Sequence, residues 1–286
     1  MEKGAKKNTE LRFLLTAAAC VLLVFLVVGL ILPAWKLGRA RKLAAAGDYE
    51  KAYALIGGMY FQDSAALAEE CLFEAQKARL GAAKVGDTLR FGVYEQDNRA
   101  ENGPEELEWL VLAVEGDKAL LVSRYGLEPR PYNEELYMTD SRKKVTWSTC
   151  ELRTWLNGDF FGTAFSPEHQ ALILMSEVKA DKNPGSDVNP GRDTKDRVFI
   201  LSASEAGRYF DSDAARRCPA SASCLARSRE TENGYCRWWL RTTGVADDSS
   251  VAVVTASGGI FLVGFSCGHV PYPAVRPAMW IALDGR

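Results

Sequence analysis

At 286 residues and a net charge of −2, the chain can hold one sizeable folded domain plus accessories, and it lacks the basic excess of a nucleic-acid-binding face. Its 47% apolar and 25% charged content is that of an ordinary folded protein. Seven cysteines are too few for a disulfide scaffold at this length, and two histidines, His169 and His269, argue against a multi-histidine metal centre.

Residues 1–12 form a short basic tail, and residues 13–32 run without a charge, mostly Leu, Val and Ala. As a helix they reach roughly 30 Å, the thickness of a bilayer's hydrocarbon core. The apolar core of a signal peptide is shorter, about 7–15 residues, and ends in a small-residue cleavage site. Here Pro33-Ala34-Trp35-Lys36 follows instead, with Trp35 placed as an interfacial anchor. We read a single membrane span. Lys3, Lys6, Lys7 and Arg12 precede it and Lys36, Arg39, Arg41 and Lys42 follow, so the positive-inside rule nearly ties. The brevity of the tail favours a C-terminal domain outside the cytoplasm of a cell membrane. Cys20 lies within the span; the other six cysteines fit pairing in an oxidising compartment or free buried thiols equally well.

Residues 36–82 are rich in the helix formers Ala, Leu, Glu and Lys. Gly47-Asp48-Tyr49-Glu50-Lys51-Ala52 resembles the turn of a tetratricopeptide hairpin, and Asp63-Ser64 offers a cap for a further helix. About one repeat is present where solenoids need three or more, so a helical stalk is the expectation.

From residue 85 to 286 the pattern becomes strand-like. Strands are expected at 88–94, 107–114 and 119–124, the last two around the turn Glu115-Gly116-Asp117-Lys118. Ser148 with Glu151 reads as a capping box opening a short helix that Asn157-Gly158 ends. Ser166-Pro167-Glu168 opens another. Residues 179–196 carry Asp181, Asn183, Asp187, Asn189, Asp193 and Asp196, oxygen ligands that could hold calcium but fit no fixed calcium spacing; a solvated loop is expected. A strand at 197–201 and a helix capped by Ser202 with Glu205 follow. Residues 211–234 read as irregular. The stretch from Cys236 to Ile281 reads as four short strands, with a hairpin across Ser257-Gly258-Gly259.

The order of motifs resembles a bacterial family of domains of unknown function, family 6273. It is carried by Phe91-Gly92, Glu108-Trp109-Leu110-Val111-Leu112, Trp147, Leu152-Arg153-Thr154-Trp155-Leu156-Asn157, Phe199-Ile200-Leu201-Ser202, Trp238-Trp239-Leu240-Arg241 and Val275-Arg276-Pro277-Ala278. More distantly the frame is similar to C-type-lectin-like domains, a superfold that includes the formylglycine-generating enzymes. The resemblance implies an α+β, C-type-lectin-like domain of short strands and short helices, and function does not transfer with such a fold.

The chemistry is sparse. Arg153, Arg241 and Arg276 lie inside apolar motifs and need carboxylate or carbonyl partners, which makes them loop locks in one reading and an anion clamp in another. Only one of Trp238 and Trp239 can face the main core of a strand. The Glu-Pro-Asn and Trp-Asn-Asp signatures of lectin calcium sites do not occur. Tyr235-Cys236-Arg237 is superficially like the copper-binding region of formylglycine-generating enzymes. However, Cys267 lies beyond a hairpin, and Cys218 and Cys224 lie in the irregular insert. Asp247-Asp248 reads as a solvated pair. No catalytic, cofactor or metal residues are assigned, and no cofactor is expected. A ligand groove is expected beside the 218–224 insert, with Trp238, Arg241, Arg276 and Cys236 as its candidates. The expected function is a membrane-anchored, non-catalytic binding module for a protein or glycan, the alternative being an oxidase related to formylglycine-generating enzymes.

Overall fold

The computed structural model describes residues 2–134, 145–227, 231–245, 249–268 and 271–283, with backbone alone for residues 2–11. The chain divides into two compact units, residues 1–76 and 77–286.

In the first unit, helix α1 (Glu2–Leu26) passes through one π-turn, Val27–Ile31, into α2 (Leu32–Ala45). Pro33 stands in the first turn of α2, where it has no N–H to donate and its ring crowds the carbonyl four residues back. The wider turn, in which the Leu32 N–H reaches the Val27 carbonyl, accommodates both. The stretch Arg12–Ala45 is long and apolar enough to cross a membrane, and none of its most apolar window is buried. The chain turns at Gly47, whose N–H bonds to the Ala44 carbonyl, and enters α3 (Tyr49–Ile56) and then α4 (Ser64–Leu80). Ala40, Ala52, Ile56, Ala68 and Cys71 pack into a small core. The expected α4 is present, but Asp63 is spent on Arg41 at 2.6 Å. Ser64 fastens the preceding turn, accepting from the Phe61 N–H and donating to the Met59 carbonyl.

The second unit opens with β1 (Thr88–Tyr94), β2 (Glu105–Glu115) and β3 (Lys118–Ser123). Helices α5 (Glu151–Trp155), α6 (Phe161–Ala164) and α7 (Pro167–Leu172) precede the short hairpin β4 (Ser176–Val178) and β5 (Thr194–Asp196). Then come α8 (Ala203–Tyr209), α9 (Asp213–Arg216), β6 (Cys218–Pro219), α10 (Ala222–Arg227), β7 (Thr231–Glu232) and β8 (Tyr235–Cys236). The chain closes with β9 (Trp238–Thr243), β10 (Ser250–Val254), β11 (Ile260–Ser266) and β12 (Ala278–Ala282). The strands pair antiparallel in sheets ordered β1-β2-β3-β12, β11-β10-β9, β4-β5 and β6-β8-β7.

Alternation along β2 sends Leu107, Trp109 and Val111 inward. Trp109 donates its indole N–H to the Phe91 carbonyl at 2.8 Å, so its polar atom is satisfied inside the core. Gly92 bulges β1 at φ +72°, where a Cβ would lie 2.6 Å from the Ala164 carbonyl oxygen and from the Phe165 ring; only glycine fits.

Several local expectations change. Residues 211–234, expected to be irregular, hold the short helices α9 and α10 and the short strands β6 and β7. The last of the four expected C-terminal strands, β12, leaves the β9–β11 sheet and pairs with β3. Local pattern marks a strand, but partner choice is long-range. Ser148 does not cap α5: its hydroxyl bonds to Thr146, and the Glu151 N–H donates to the side chain of Asn133 instead. Asn157-Gly158 does not end the helix, which continues through a π-turn, Leu156–Phe160, into α6. The Asn157 amide donates to the Arg153 and Val198 carbonyls and accepts from the Arg197 and Val198 N–H groups, while Phe160 is buried. Residues 197–201 form no strand; Phe199 makes a single bridge to Ala278. The helices at Ser166-Pro167 and Ser202 form as read, the latter with a complete capping box to Glu205.

Candidate functional site

The four groove candidates are interior residues. Trp238 and Trp239 are both fully buried, on opposite faces of β9. Trp239 donates to the Arg130 carbonyl at 2.8 Å and meets the Tyr132 ring edge-on, whereas Trp238 donates to the carbonyl of Arg216, the last residue of α9, at 3.2 Å. Arg241 holds the Glu205 carboxylate with both terminal nitrogens, the Nη2–Oε1 contact being 2.6 Å, and also donates to the Ile200 and Lys179 carbonyls. Glu205 in turn accepts from the Ser202 N–H, so one carboxylate ties β9 to the start of α8. Arg276 donates to the Ser123 carbonyl at 2.9 Å and to the Arg216 carbonyl at 3.2 Å, and stacks over Trp238 and Phe210. It joins β3 to the insert at the start of β12. Arg153 pairs with buried Asp196 at 2.7 Å. These partners are those of loop locks.

Cys236 lies opposite Cys218 across β6 and β8, and both are buried together with Cys224. The Cys218 and Cys224 thiols beside it, and then burial, push the Cys236 thiol well above its ordinary range. Burial works against a thiolate at Cys218 too. Even so, hydrogen bonds from Cys236 and the Gly126 backbone, with the Arg276 charge, hold its pKa below the usual thiol value. Gly126 passes so close that a Cβ there would lie 2.4 Å from the Cys236 sulfur. These three cysteines are separated in the sequence; the fold brings them together, inside the protein. Elsewhere, burial pushes Cys150 up to about 12 and His169 down to about 4.

The acidic 179–196 segment does not gather its carboxylates. Lys179 pairs Asp193 and Lys182 pairs Asp187, while Asp196 is buried against Trp147 and Arg153. Asn183 is buried as well, donating to the Thr243 and Leu262 carbonyls, so the loop is pinned rather than merely solvated. Among the described residues, the carboxylates whose donor atoms all close within 4.8 Å are Glu95, Asp97 and Glu105. Asp247-Asp248 and His269 lie outside the described residues.

Two open clefts flank the 211–236 insert. One, of about 320 Å³, is lined by Gln96, Asp97, Glu105, Glu106, Glu108, Tyr125, Ala220, Ser221 and Ala222. Four of these nine carry carboxylates and none is basic. Glu105 accepts from the Gln96 and Asp97 N–H groups, and Arg90 and Arg124 pair Glu106 and Glu108. Asp97 accepts from Asn102 through one oxygen and leaves the other, buried, without a hydrogen-bond donor. The second cleft, of about 260 Å³, is lined by Ala214, Arg217, Glu232, Asn233, Ala256 and Ser257. Trp238, Arg241, Arg276 and Cys236 line neither.

The architecture is therefore a mixed α+β domain built from short strands and short helices, following an apolar helix long enough to span a bilayer. The chain belongs to the family described as Domain of unknown function (DUF6273), whose model matches residues 116–283. No curated protein and no solved structure matches the chain.

Proposed function

We propose that this protein is a membrane-anchored recognition module of a C-type-lectin-like kind, carried on a tetratricopeptide-like helical stalk and held outside the cytoplasm of a bacterial cell. Its partner is a protein segment bearing lysine or arginine, taken in the cleft between β2 and the 220–222 segment. The observation that carries this reading is the lining of that cleft, with four carboxylates, of which Glu106 and Glu108 are paired by Arg90 and Arg124 outside the lining while one oxygen of Asp97 has no donor. Trp109, Trp147, Trp238, Trp239, Arg241 and Arg276 of the family motifs are used inside the fold, whereas loops around a rigid sheet are free to serve recognition. Carboxylates in a partly enclosed cleft favour a cationic ligand more than a neutral glycan, and such attraction weakens with salt.

The alternative, an oxidase related to formylglycine-generating enzymes, gains one point: Cys218, Cys224 and Cys236 converge. It loses another, because each is at most 1% exposed and offers no face to a substrate. The test is selection from a randomised peptide library and a glycan array with the full chain in lipid nanodiscs. Enrichment of lysine- and arginine-bearing peptides, lost in Asp97→Asn/Glu106→Gln, supports the reading. Enrichment of glycans or acidic peptides overturns it. Stoichiometric copper(I) binding that disappears in Cys236→Ser would promote the oxidase.

A further inference from the structure

The buried thiols of Cys218, Cys224 and Cys236 line neither cleft, and they carry an inference independent of what the module binds. Residues facing each other across an antiparallel pair have Cα atoms about 4.5–5.5 Å apart, within the range a disulfide spans. Cys218 and Cys236 are such a facing pair, with both side chains on one side of β6 and β8, and the Cys236 sulfur lies 3.4 Å from the Cys218 carbonyl oxygen. Cross-strand Cβ atoms must draw in by about 1 Å to reach disulfide geometry, a small move for strands of two residues each. Cys224 also touches Cys236 but arrives from α10, without that register. A shared metal ion is the weaker reading, since these sulfurs are not among the donor groups that close within 4.8 Å.

We propose that Cys218 and Cys236 form a disulfide, a redox-dependent clasp that closes the insert containing α10 and fixes the 220–222 wall of the acidic cleft. In the structure the three cysteines are free thiols. Oxidation belongs to the folding chain, before the insert closes over the sulfurs. The oxidant is a small-molecule disulfide, RSSR. The Cys218 thiolate attacks one of its sulfurs and expels RS⁻, giving a mixed disulfide. Cys236, as thiolate, then attacks the Cys218 sulfur and expels the second RS⁻. Two protein thiols lose two electrons and two protons, RSSR gains them as two RSH, and one S–S bond replaces another. The two thiols are interchangeable in this sequence, because the Arg276 charge and the Gly126 contact that favour a Cys218 thiolate are in place only once the insert has closed.

The closed loop runs from residue 218 to 236, a length for which chain-entropy arguments predict that reduction lowers Tm by about 6–12 °C in a domain of this size. The experiment uses the full chain in detergent, refolded with reduced and oxidised glutathione, alkylated under denaturing conditions and digested without reductant. Mass spectrometry is expected to find Cys218 linked to Cys236 and Cys224 alkylated. Melting with and without a reductant should show the Tm difference in wild type and in Cys224→Ser, and lose it in Cys236→Ser. A Cys224–Cys236 link, or three alkylated thiols in a sample that melts cooperatively, would overturn the proposal. The peptide readout is on wild type, so it decides between these outcomes even where a variant fails to fold.

Discussion

Replacing Arg241 by Met tests whether the Trp-Trp-Leu-Arg motif acts as a lock. The side chain is nearly fully buried and donates to both oxygens of Glu205, to the Ile200 carbonyl and to the Lys179 carbonyl. Methionine fills much of the volume but donates nothing, so two carbonyls and a carboxylate lose their strongest partner. Breaking a buried pair by removing one member costs about 3–5 kcal/mol. Glu205 keeps the Ser202 N–H and is 29% exposed, so water can take up part of the deficit and the lower end applies, about 3 kcal/mol. For a domain of this size that is a fall in Tm of about 6–12 °C. Arg241→Lys should recover only part of it, since an ammonium cannot span both carboxylate oxygens. Thermal melts of the full chain in detergent, followed by tryptophan fluorescence, read the shift. A fall below about 2 °C for Arg241→Met would refute the lock and make Arg241 a ligand-binding candidate again.

Further outcomes follow from the same contacts. Burial keeps His169 neutral, with a folded pKa of about 4 against the unfolded 6.5. The unfolded chain therefore binds more protons between those values, and stability present above pH 6.5 should fall toward pH 4 by at most about 1.4 kcal/mol per pH unit; His169→Gln should flatten that slope in melts across the range. Trp109→Ala should cost about 3–5 kcal/mol, read by denaturant titration, because it empties a core site and strips the Phe91 carbonyl of its donor. Gly92→Ala should destabilise by more than about 1 kcal/mol, since positive φ and a 2.6 Å clash act together. An exposed cysteine introduced as Asn102→Cys should react with a membrane-impermeant maleimide on intact cells; labelling only after lysis would reverse the orientation and leave the span in place.

Much of the scaffold is written locally. The alternation in β2, the turn at Gly116, the Ser-Pro start of α7 and the Ser-Glu box of α8 each depend on residues within one or two turns of chain, and each forms as read. The failures are long-range. Nothing near residue 278 says that β12 pairs with β3, and nothing near Ser148 says that Asn133 will supply the cap for α5. Asn157-Gly158 has the composition of a helix stop, but the amide is claimed by residues 197–198, forty positions on, and the helix continues. For the groove candidates, residue type was informative and role was not. Trp238, Arg241 and Arg276 carry chemistry that suits either a ligand or a lock, and their burial fits the lock. The acidic cleft had no sequence signal beyond polar loop, because its walls come from 96–97, 105–108, 125 and 220–222. The thiol trio likewise joins an insert to a strand, with no motif spacing to announce it.

The most direct test of the division between a structural interior and a recognising cleft is one affinity measurement at matched stability. A lysine- or arginine-bearing peptide selected on the wild-type chain in nanodiscs is titrated against Asp97→Asn/Glu106→Gln, with Tm recorded on the same samples. Neutralising two of the four lining carboxylates should weaken binding at least about tenfold, worth about 1.4 kcal/mol, with Tm within about 2 °C of wild type. Unchanged affinity in a variant that remains folded would contradict this division and place recognition elsewhere on the domain.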